Sequence, residues 1–370
     1  MTITHKEIII IGGGLAGLSL SILCARSGFA VLVLEKADYP RQKVCGEYIS
    51  QESLPFLEDL GIPIQEMSLP FINEFKLTSR HGISGSCSLT PGGIGLSRFT
   101  LDKLLFDLAV KAGVEIKTNY KVNDITFVNN QYVINQSLAD GFSCNLAVGS
   151  YGRVSGLSGA NKNSQNYIGV KYHVSEGPAD NVIEIHHFRG GYCGISKVEN
   201  DAYCLCYLAK ASDFKKSGGD IANFEKRVLS ENGYLQKHLS VKRLETKETT
   251  SNFTFGINAR TNEIDYPLLG DASGFIPPLT GNGMSLAFRS AKTFHEHLLQ
   301  NFRKGKREQL LQANQTYIQG YLKKRIDKGI LLQNILLANI PLFQPVLLGA
   351  VCMFPGLLKT MSKQAVGEEI

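Results

Sequence analysis

The amino-acid sequence predicts an α/β fold in which a nucleotide-binding domain is interrupted by a second, α+β domain. Three observations lead to this prediction. A β-branched run with a glycine-rich turn opens the chain, a second glycine-rich segment covers residues 268–283, and short alternating segments lie between them. With 370 residues, the chain is long enough for one large domain or two closely joined domains.

The opening segment has the pattern of a dinucleotide-binding turn. Residues 7–11 form a β-branched run typical of a buried parallel strand. Gly12, Gly14 and Gly17 follow with GxGxxG spacing. The first glycine permits a tight turn, the second lets backbone approach a pyrophosphate, and the third lets the next helix pack on the strand. We expect a helix over residues 15–27, with its N-terminal amides directed at the phosphates.

The residues after this helix favour FAD over NAD as the dinucleotide. Residues 30–34 predict a second strand, and Glu35 closes it, where an acid can bond ribose hydroxyls. This order does not distinguish the two dinucleotides. Residues 36–47, however, do not continue with the further βα units expected of a simple NAD dehydrogenase.

Four motifs together resemble a known family. They are the GxGxxG turn with Glu35, residues 43–47 (Lys-Val-Cys-Gly-Glu), Arg98 followed by Leu101-Asp102, and residues 270–283. With them the chain resembles the FAD-dependent oxidoreductases of the para-hydroxybenzoate-hydroxylase fold, and among these the geranylgeranyl-reductase-related branch, over residues 1 to about 300. The resemblance implies a Rossmann-like FAD-binding domain of the glutathione-reductase type, an inserted antiparallel β-sheet substrate domain and C-terminal helices.

The resemblance also implies roles for individual residues. Arg98 would contact FAD, Asp271 would bond the ribityl chain or pyrophosphate, and the amides near Gly281 and Gly283 would meet the pyrimidine edge of the flavin. A helix N-terminus there stabilises the negative charge of reduced flavin. The predicted FAD-binding residues are Gly12, Gly14, Leu15, Ala16, Gly17, Glu35, Lys36, Cys45, Gly46, Arg98, Gly270, Asp271, Pro278, Gly281, Asn282, Gly283 and Met284.

The predicted domains are discontinuous. We expect residues 1–70, 98–160 and 262–302 to form the FAD-binding domain, 71–97 and 161–261 the substrate domain, and 303–370 an apolar helical cap. Alternating segments at 167–174, 182–189 and 203–208 predict the antiparallel sheet, and Thr100 is the predicted N-cap of a helix that reaches Ala112. A cleft between two such domains is the usual place for a small-molecule site.

The candidate catalytic residues are Cys45, Glu47 and Tyr192. By the geometry of the family, Cys45 would lie near the isoalloxazine and tune it or supply a proton, and Glu47 would orient water or substrate. The alternative is that Cys45 is a packed small residue and Glu47 caps a helix. Tyr192 and His187 would face the cleft if the alternation is right, although core tyrosines and strand histidines are also common.

The chain departs from the family pattern in three places. Tyr151 stands where relatives have an aspartate that helps to hold the pyrophosphate, there is no second GxGxxG, and the chain contains no Trp. Reductases of the branch carry a Tyr-x-Trp motif over the flavin, where this chain has residues 190–194, and halogenase relatives carry a Trp-rich motif. The electron donor is therefore open between NAD(P)H and a separate protein.

Composition excludes some partners and locations. The net charge of +6 is spread thinly, and nothing resembles a nucleic-acid-binding module. The eight cysteines form no CxxC pair and the histidines have no metal-ligand spacing, so we predict packed thiols in a reducing, cytoplasmic compartment and no metal. Residues 329–358 carry no charge and are broken by three prolines, which predicts either core helices or peripheral contact with the inner face of a membrane.

These observations leave three functional hypotheses. The first is hydride transfer between flavin N5 and a carbon–carbon bond of a lipophilic polyprenyl, polyene or polyketide-like molecule. The second is a monooxygenase that hydroxylates an aromatic or quinone-like substrate through a flavin C4a-hydroperoxide. The third is a non-catalytic flavin-binding redox partner.

Overall fold

The computed structural model describes residues 4–135, 141–153, 157, 166–245, 247–281, 283–337 and 369–370. Asn282 and residues 338–358 of the apolar C-terminal segment lie outside these described residues.

The described residues form sixteen strands and nine α-helices. The strands are β1 (Thr4–Ile11), β2 (Val31–Leu34), β3 (Tyr48–Ser50), β4 (Phe71–Thr78), β5 (Ser84–Gly95), β6 (Glu115–Lys117), β7 (Asp124–Val128), β8 (Gln131–Asn135), β9 (Phe142–Gly149), β10 (Tyr167–Val174), β11 (Val182–Phe188), β12 (Gly191–Lys197), β13 (Tyr203–Lys210), β14 (Glu248–Phe253), β15 (Gly256–Ile257) and β16 (Gly274–Phe275). The α-helices are α1 (Leu15–Arg26), α2 (Leu54–Asp59), α3 (Arg98–Lys111), α4 (Ala211–Lys216), α5 (Ile221–Arg227), α6 (Gly233–Leu239), α7 (Gly283–Asn301), α8 (Arg307–Tyr317) and α9 (Lys323–Leu336).

A six-stranded sheet carries the opening motif, in the order β6-β2-β1-β9-β8-β7. Strands β6, β2, β1 and β9 are parallel, and β8 and β7 continue the sheet antiparallel. The isoleucines of β1 are buried because helices cover this sheet: α1, α3 and α7 share one apolar cluster on one side. Helix α1 packs directly on α7, which brings the two ends of the predicted cofactor site together. The predicted α/β fold is confirmed.

An eight-stranded sheet forms the second layer, in the order β14-β10-β13-β12-β11-β4-β5-β3. It is antiparallel as predicted except for the parallel pair of β4 and β11. Its inner face, which carries Leu77, Ile185, Tyr192 and Leu208, packs with Phe275 near the second glycine-rich segment. Its outer face packs against α5 and α6.

Several local details differ from the sequence-based expectations. Ser97, not Thr100, is the N-cap of α3, because its Oγ accepts a hydrogen bond from the amide of Thr100 at 3.1 Å. Helices α4, α5 and α6 follow β13, where the sequence had predicted only strands. None of the described helices is long and apolar enough to cross a bilayer.

Candidate FAD and active site

The first glycine turn has the shape that a pyrophosphate requires. Gly12 has a φ of +102°, and a Cβ on it would lie 2.6 Å from the carbonyl oxygen of Ser150. A Cβ on Gly17 would lie 2.1 Å from the carbonyl oxygen of Gly12, so only glycine allows α1 to pack here. A Cβ on Gly14 would meet nothing within 4 Å, and no side chain caps the N-terminus of α1 at this residue. The start of α1 thus has free space beside Gly14 and no side-chain cap, which fits a bound phosphate group.

Glu35 lies next to this turn, as a ribose ligand should. It is buried, and its Oε2 accepts a hydrogen bond from the amide of Gly13 at 2.7 Å. Its Oε1 accepts from the amide of Ala37 at 3.1 Å and pairs with Arg41 at 2.9 Å. Lys36, by contrast, is exposed beside it.

The second glycine-rich segment packs on the first. A Cβ on Gly270, whose φ is +56°, would lie 3.1 Å from the Cβ of Ala16 in α1. Gly283 starts α7, and Met284 in its first turn is buried. Gly281 has a φ of +66° and a Cβ on it would lie 3.3 Å from the ring of Tyr48. Gly270 and Met284 therefore lie against the start of α1, as a site for an extended dinucleotide across both segments would require.

Asp271 makes no hydrogen bond or ion pair within the part of the chain that the structure describes. Burial raises its pKa, and the nearby cations Arg153 and Arg98 oppose that rise. An acid held beside two cations without a direct partner is suited to accept a hydrogen bond from a cofactor hydroxyl. Pro278, further along the same segment, is exposed.

Arg98 is held by an acid that is completely buried. Asp102 accepts from Nε and Nη2 of Arg98 at 2.7 and 3.1 Å, and from Lys43 at 2.5 Å. Burial opposes the charged form, but these two cations hold the pKa of Asp102 at about 2. Burial also lowers the pKa of Lys43 to about 8. The three groups fix the start of α3 and the segment that leads to Cys45.

Glu47 is the centre of a second buried network. It has a φ of +55° and no exposed surface. Its Oε1 accepts from Lys171 at 2.7 Å and from the amide of Arg98 at 2.9 Å, and its Oε2 lies 2.5 Å from His173. Burial would raise the pKa of Glu47, but His173 and Lys171 bring it below its usual value. Glu47 thus binds the first amide of α3 and, on the inner face of the eight-stranded sheet, two side chains of β10.

Cys45 lies beside this network and is partly exposed. The amide of Glu47 donates to its Sγ at 3.4 Å, and the thiol of Cys204 donates to its carbonyl oxygen at 3.2 Å. Burial raises the pKa of the Cys45 thiol, so the thiol is protonated at neutral pH. Gly46, the next residue, is exposed, and a Cβ on it would meet no atom within 4 Å.

Tyr192 belongs to the apolar inner face and does not contact the Glu47 network through any described hydrogen bond. It is buried and lies opposite His187 of β11 and Leu208 of β13. Burial raises the pKa of Tyr192 well above its ordinary value. Tyr151, which replaces the acid of the family, points toward Tyr266, with 3.4 Å between the two hydroxyls.

The sequence did not single out Lys171, His173, Asp102 or Arg153 as functional residues. One signal was present for Lys171 and His173, because a lysine and a histidine inside the otherwise apolar run of β10 must find buried partners. The partners themselves could not be predicted, since Glu47 lies more than a hundred positions away and Glu245 approaches His173 at 2.8 Å from beyond β13.

Comparison with known proteins agrees with this geometry. Residues 5–155 match the family described as FAD binding domain. Conditioned medium factor receptor 1 of Dictyostelium discoideum is 22% identical over 80% of this chain and 64% of its own length. A menaquinone reductase of Mycobacterium tuberculosis is 26% identical over 36% of this chain and 34% of its own length. The solved structure of the flavin-dependent brominase Bmp2 superposes with a TM-score of 0.77 at 18% identity, over 98% of this chain and 93% of that one.

These findings identify an FAD-binding domain in residues 5–155 and are consistent with an FAD-dependent oxidoreductase. Parts of the chain are similar to a flavin-dependent halogenase of Armillaria mellea and to a putative FAD-dependent monooxygenase of Bacillus subtilis, and its fold resembles that of the brominase. It spans less than two thirds of the Dictyostelium protein and about a third of the menaquinone reductase. The geranylgeranyl-reductase branch is not specifically supported by these matches.

Proposed function

We propose that the protein transfers a hydride between the N5 atom of FAD and a carbon–carbon bond of a lipophilic small molecule. The observation that carries the proposal is the apolar inner face of the eight-stranded sheet, where Leu77, Ile185 and Leu208 pack with Phe275 and, from α9, Leu336. Phe275 lies within the second glycine-rich segment, so an apolar substrate on this face would adjoin the flavin. A polyprenyl, polyene or polyketide-like chain has the chemistry that such a surface recognises.

The reduction also needs a proton, and Cys45 is the group we assign to it. Reduced FAD, held between the two glycine-rich segments, would supply a hydride to one carbon of a double bond. The protonated thiol of Cys45 gives its proton to the neighbouring carbon, and the amide of Glu47, 3.4 Å from Sγ, then stabilises the thiolate. The Glu47–Lys171–His173 network would hold Cys45 in place and keep the charge balance of the site. Tyr192 would shape the substrate pocket.

The electrons that reduce FAD come either from NAD(P)H or from a separate donor protein. Tyr151 offers no acid at the position where relatives bind pyrophosphate and nicotinamide. An anaerobic titration of the purified protein with NADH and NADPH, followed by absorbance, distinguishes the two sources. Bleaching by either nucleotide identifies a direct donor, whereas bleaching only by dithionite favours a donor protein.

A second candidate function is an oxygen-using reaction, hydroxylation of an aromatic or quinone-like substrate. The fold is similar over nearly the full chain to that of a flavin-dependent brominase, and this similarity supports the second candidate function. The two reactions differ in atoms, because a reductase product gains two hydrogens and a monooxygenase product gains one oxygen from O2. Flavin that cycles without changing any substrate would favour the third hypothesis, a redox partner.

The test uses the FAD-loaded protein and geranylgeraniol as a probe of the polyprenyl class. After anaerobic reduction, we expect flavin reoxidation with a product two mass units heavier. Cys45→Ser should slow this step while leaving the FAD content unchanged, and Cys24→Ala, at the far end of α1, serves as the control. Unchanged turnover in Cys45→Ser would remove Cys45 as the proton donor, and label from 18O2 in the product would overturn the reductase proposal.

We also propose peripheral membrane contact, at the cytoplasmic face, through the apolar residues 329–358. Liposome flotation compares the full chain with a chain that lacks residues 338–358, because residues 329–337 belong to α9 and its packing. We expect flotation only of the full chain. Equal behaviour of both chains would overturn this proposal without affecting the one on catalysis.

A further inference from the structure

Three metal-binding side chains meet on the outer face of the eight-stranded sheet, away from the FAD site. Glu184 and His186 come from β11, and His238 comes from the last turn of α6. Oε2 of Glu184 lies 3.2 Å from Nε2 of His186 and 3.0 Å from Nε2 of His238. We call these three residues the outer cluster.

The distances within the outer cluster match those between ligands of one zinc ion. Zinc binds imidazole nitrogen and carboxylate oxygen at about 2.0–2.2 Å in tetrahedral geometry, so neighbouring ligand atoms lie about 3.3 Å apart. Two of the three donor separations are close to this value, and all three lie within 4.8 Å. Two histidines and a glutamate also form a recurrent zinc ligand set, with a water in the fourth position.

The surroundings of the outer cluster orient its donors. Nδ1 of His186 lies 2.8 Å from Oγ1 of Thr78, whose oxygen also accepts from the side-chain amide of Asn232 at 2.9 Å. Nε2 of His186 is completely buried and has no well-directed hydrogen bond, although Oε2 of Glu184 is near. Lys76 binds the other carboxylate oxygen, Oε1, at 2.7 Å and leaves Oε2 facing the histidines. Ligating histidines and carboxylates commonly have such partners, which fix their orientation.

A second group of potential ligands, Glu47, His173 and Cys204, has no such nitrogen without a hydrogen bond. Both oxygens of Glu47 and both nitrogens of His173 already have partners, and the thiol of Cys204 donates to the carbonyl of Cys45. Of the two groups, only the outer cluster has a buried nitrogen without a hydrogen bond, Nε2 of His186, together with a partly exposed ligand. His238 is partly exposed, which provides a route for the ion.

We propose that Glu184, His186 and His238 bind one zinc ion, which fastens α6 to the outer face of the sheet. The ion would have a structural role, because the outer face is the one turned away from the cofactor segment. The sequence predicted no metal because the ligands lie on a strand and on a helix some fifty residues later, without the spacing of a local motif. This proposal does not depend on the proposed reaction.

The experiment uses the tag-free, full-length protein, stripped with a chelator and dialysed against zinc chloride with and without FAD. We expect one zinc per chain in both cases, measured by mass spectrometry of the metal, and visible d–d bands of tetrahedral Co2+ when cobalt replaces zinc. His238→Gln, near the surface, should weaken zinc binding at least about tenfold, and Thr78→Val about 10–100-fold through the orientation of His186. His81→Ala, an exposed histidine outside the cluster, is the matched control.

Thermal unfolding supplies a second readout, since an ion that binds only the folded chain raises its midpoint. Zinc should raise the midpoint of the natural chain and of His81→Ala, but not that of His238→Gln. Failure of the stripped protein to take up zinc, or equal uptake by His238→Gln, would overturn the proposal. Either result would leave FAD binding and turnover untouched.

Discussion

The two sheets build their parts of the site in opposite ways. At the end of the six-stranded sheet, the candidate cofactor site consists of backbone, because Gly14 leaves space for a phosphate while Gly12 and Gly17 let the turn and α1 pack closely. On the inner face of the eight-stranded sheet, the site consists of side chains, with Glu47, Lys171 and His173 buried together. The glycine turn depends on space that no protein side chain fills, and the Glu47 network depends on buried charges that remain paired.

The difference determines which substitutions damage each region. A methyl group is harmful in the glycine turn, where the neighbouring atoms are backbone and cannot move aside. In the charged network, the harmful change is loss of one charge, because it leaves the partner charge buried without compensation. Four expected outcomes, from the largest to the smallest, test this contrast.

The largest effect is expected from breaking the buried ion pair of Glu47 and Lys171. Glu47→Gln or Lys171→Met should each lower the free energy of unfolding by about 3–5 kcal/mol, because each removes one member of a buried ion pair. The double variant should lose less than the sum of the two. Urea unfolding followed by circular dichroism measures all three, and single losses below about 1 kcal/mol would show that water reaches the pair.

The glycine turn should separate stability from cofactor binding. Gly17→Ala places a methyl 2.1 Å from the carbonyl oxygen of Gly12 and should cost about 1–3 kcal/mol of stability. Gly14→Ala meets no protein atom, so it should leave the stability of the FAD-free chain unchanged but weaken FAD binding at least about tenfold, or 1.4 kcal/mol. Gly320→Ala, which also enters open space, is the control. Equal FAD affinity in Gly14→Ala and Gly320→Ala would contradict the assigned phosphate position.

Asp102 should make the stability of the FAD region depend on acid pH. Its pKa of about 2 in the folded chain lies below the value of about 3.9 in the unfolded chain. A lowered carboxyl pKa stabilises the fold above pH 4, and the contribution, about 2 kcal/mol, is lost as the pH falls toward 2. Asp102→Asn should make the free energy of unfolding depend less on pH between pH 5 and pH 2. An unchanged dependence would show that Asp102 does not have the lowered pKa assigned to it.

The smallest effect is expected from an exposed pair in the same helix. Lys103 and Asp107 of α3 are 2.6 Å apart, but both are open to solvent. Lys103→Ala should cost about 0.3–0.5 kcal/mol and lose that effect in high salt. If Lys103→Ala lowered the free energy of unfolding as much as Glu47→Gln does, burial would not determine how strongly these ion pairs stabilise the fold.

The same contrast explains what the sequence could predict. Glycine spacing is local, and it correctly placed β1, α1, Glu35 beside the turn and the start of α7. The strands β10, β11 and β13 were also found, because alternation is a local signal. Helices α4, α5 and α6 were missed, since they are short and their apolar faces acquire meaning only against the outer face of the sheet.

The charged networks could not be predicted because their members are distant in sequence. Asp102 was noticed only as part of a motif, while its burial between Lys43 and Arg98 depends on how α3 meets the segment before Cys45. Cys45 and Glu47 were singled out, but the lysine and histidine that hold Glu47 come from β10, more than a hundred positions later in the chain. A charge within an apolar strand indicates that a partner exists without indicating which one.

The contact of Gly270 with Ala16 has a consequence for the biosynthesis of the protein. A ribosome adds roughly 5–20 residues per second, so about 13–50 s pass between the synthesis of the two halves of the cofactor groove. During that interval the first βαβ unit lacks the wall that α7 later provides. The candidate cofactor groove is therefore incomplete until the second glycine-rich segment has been synthesised, so FAD can influence folding only after that point.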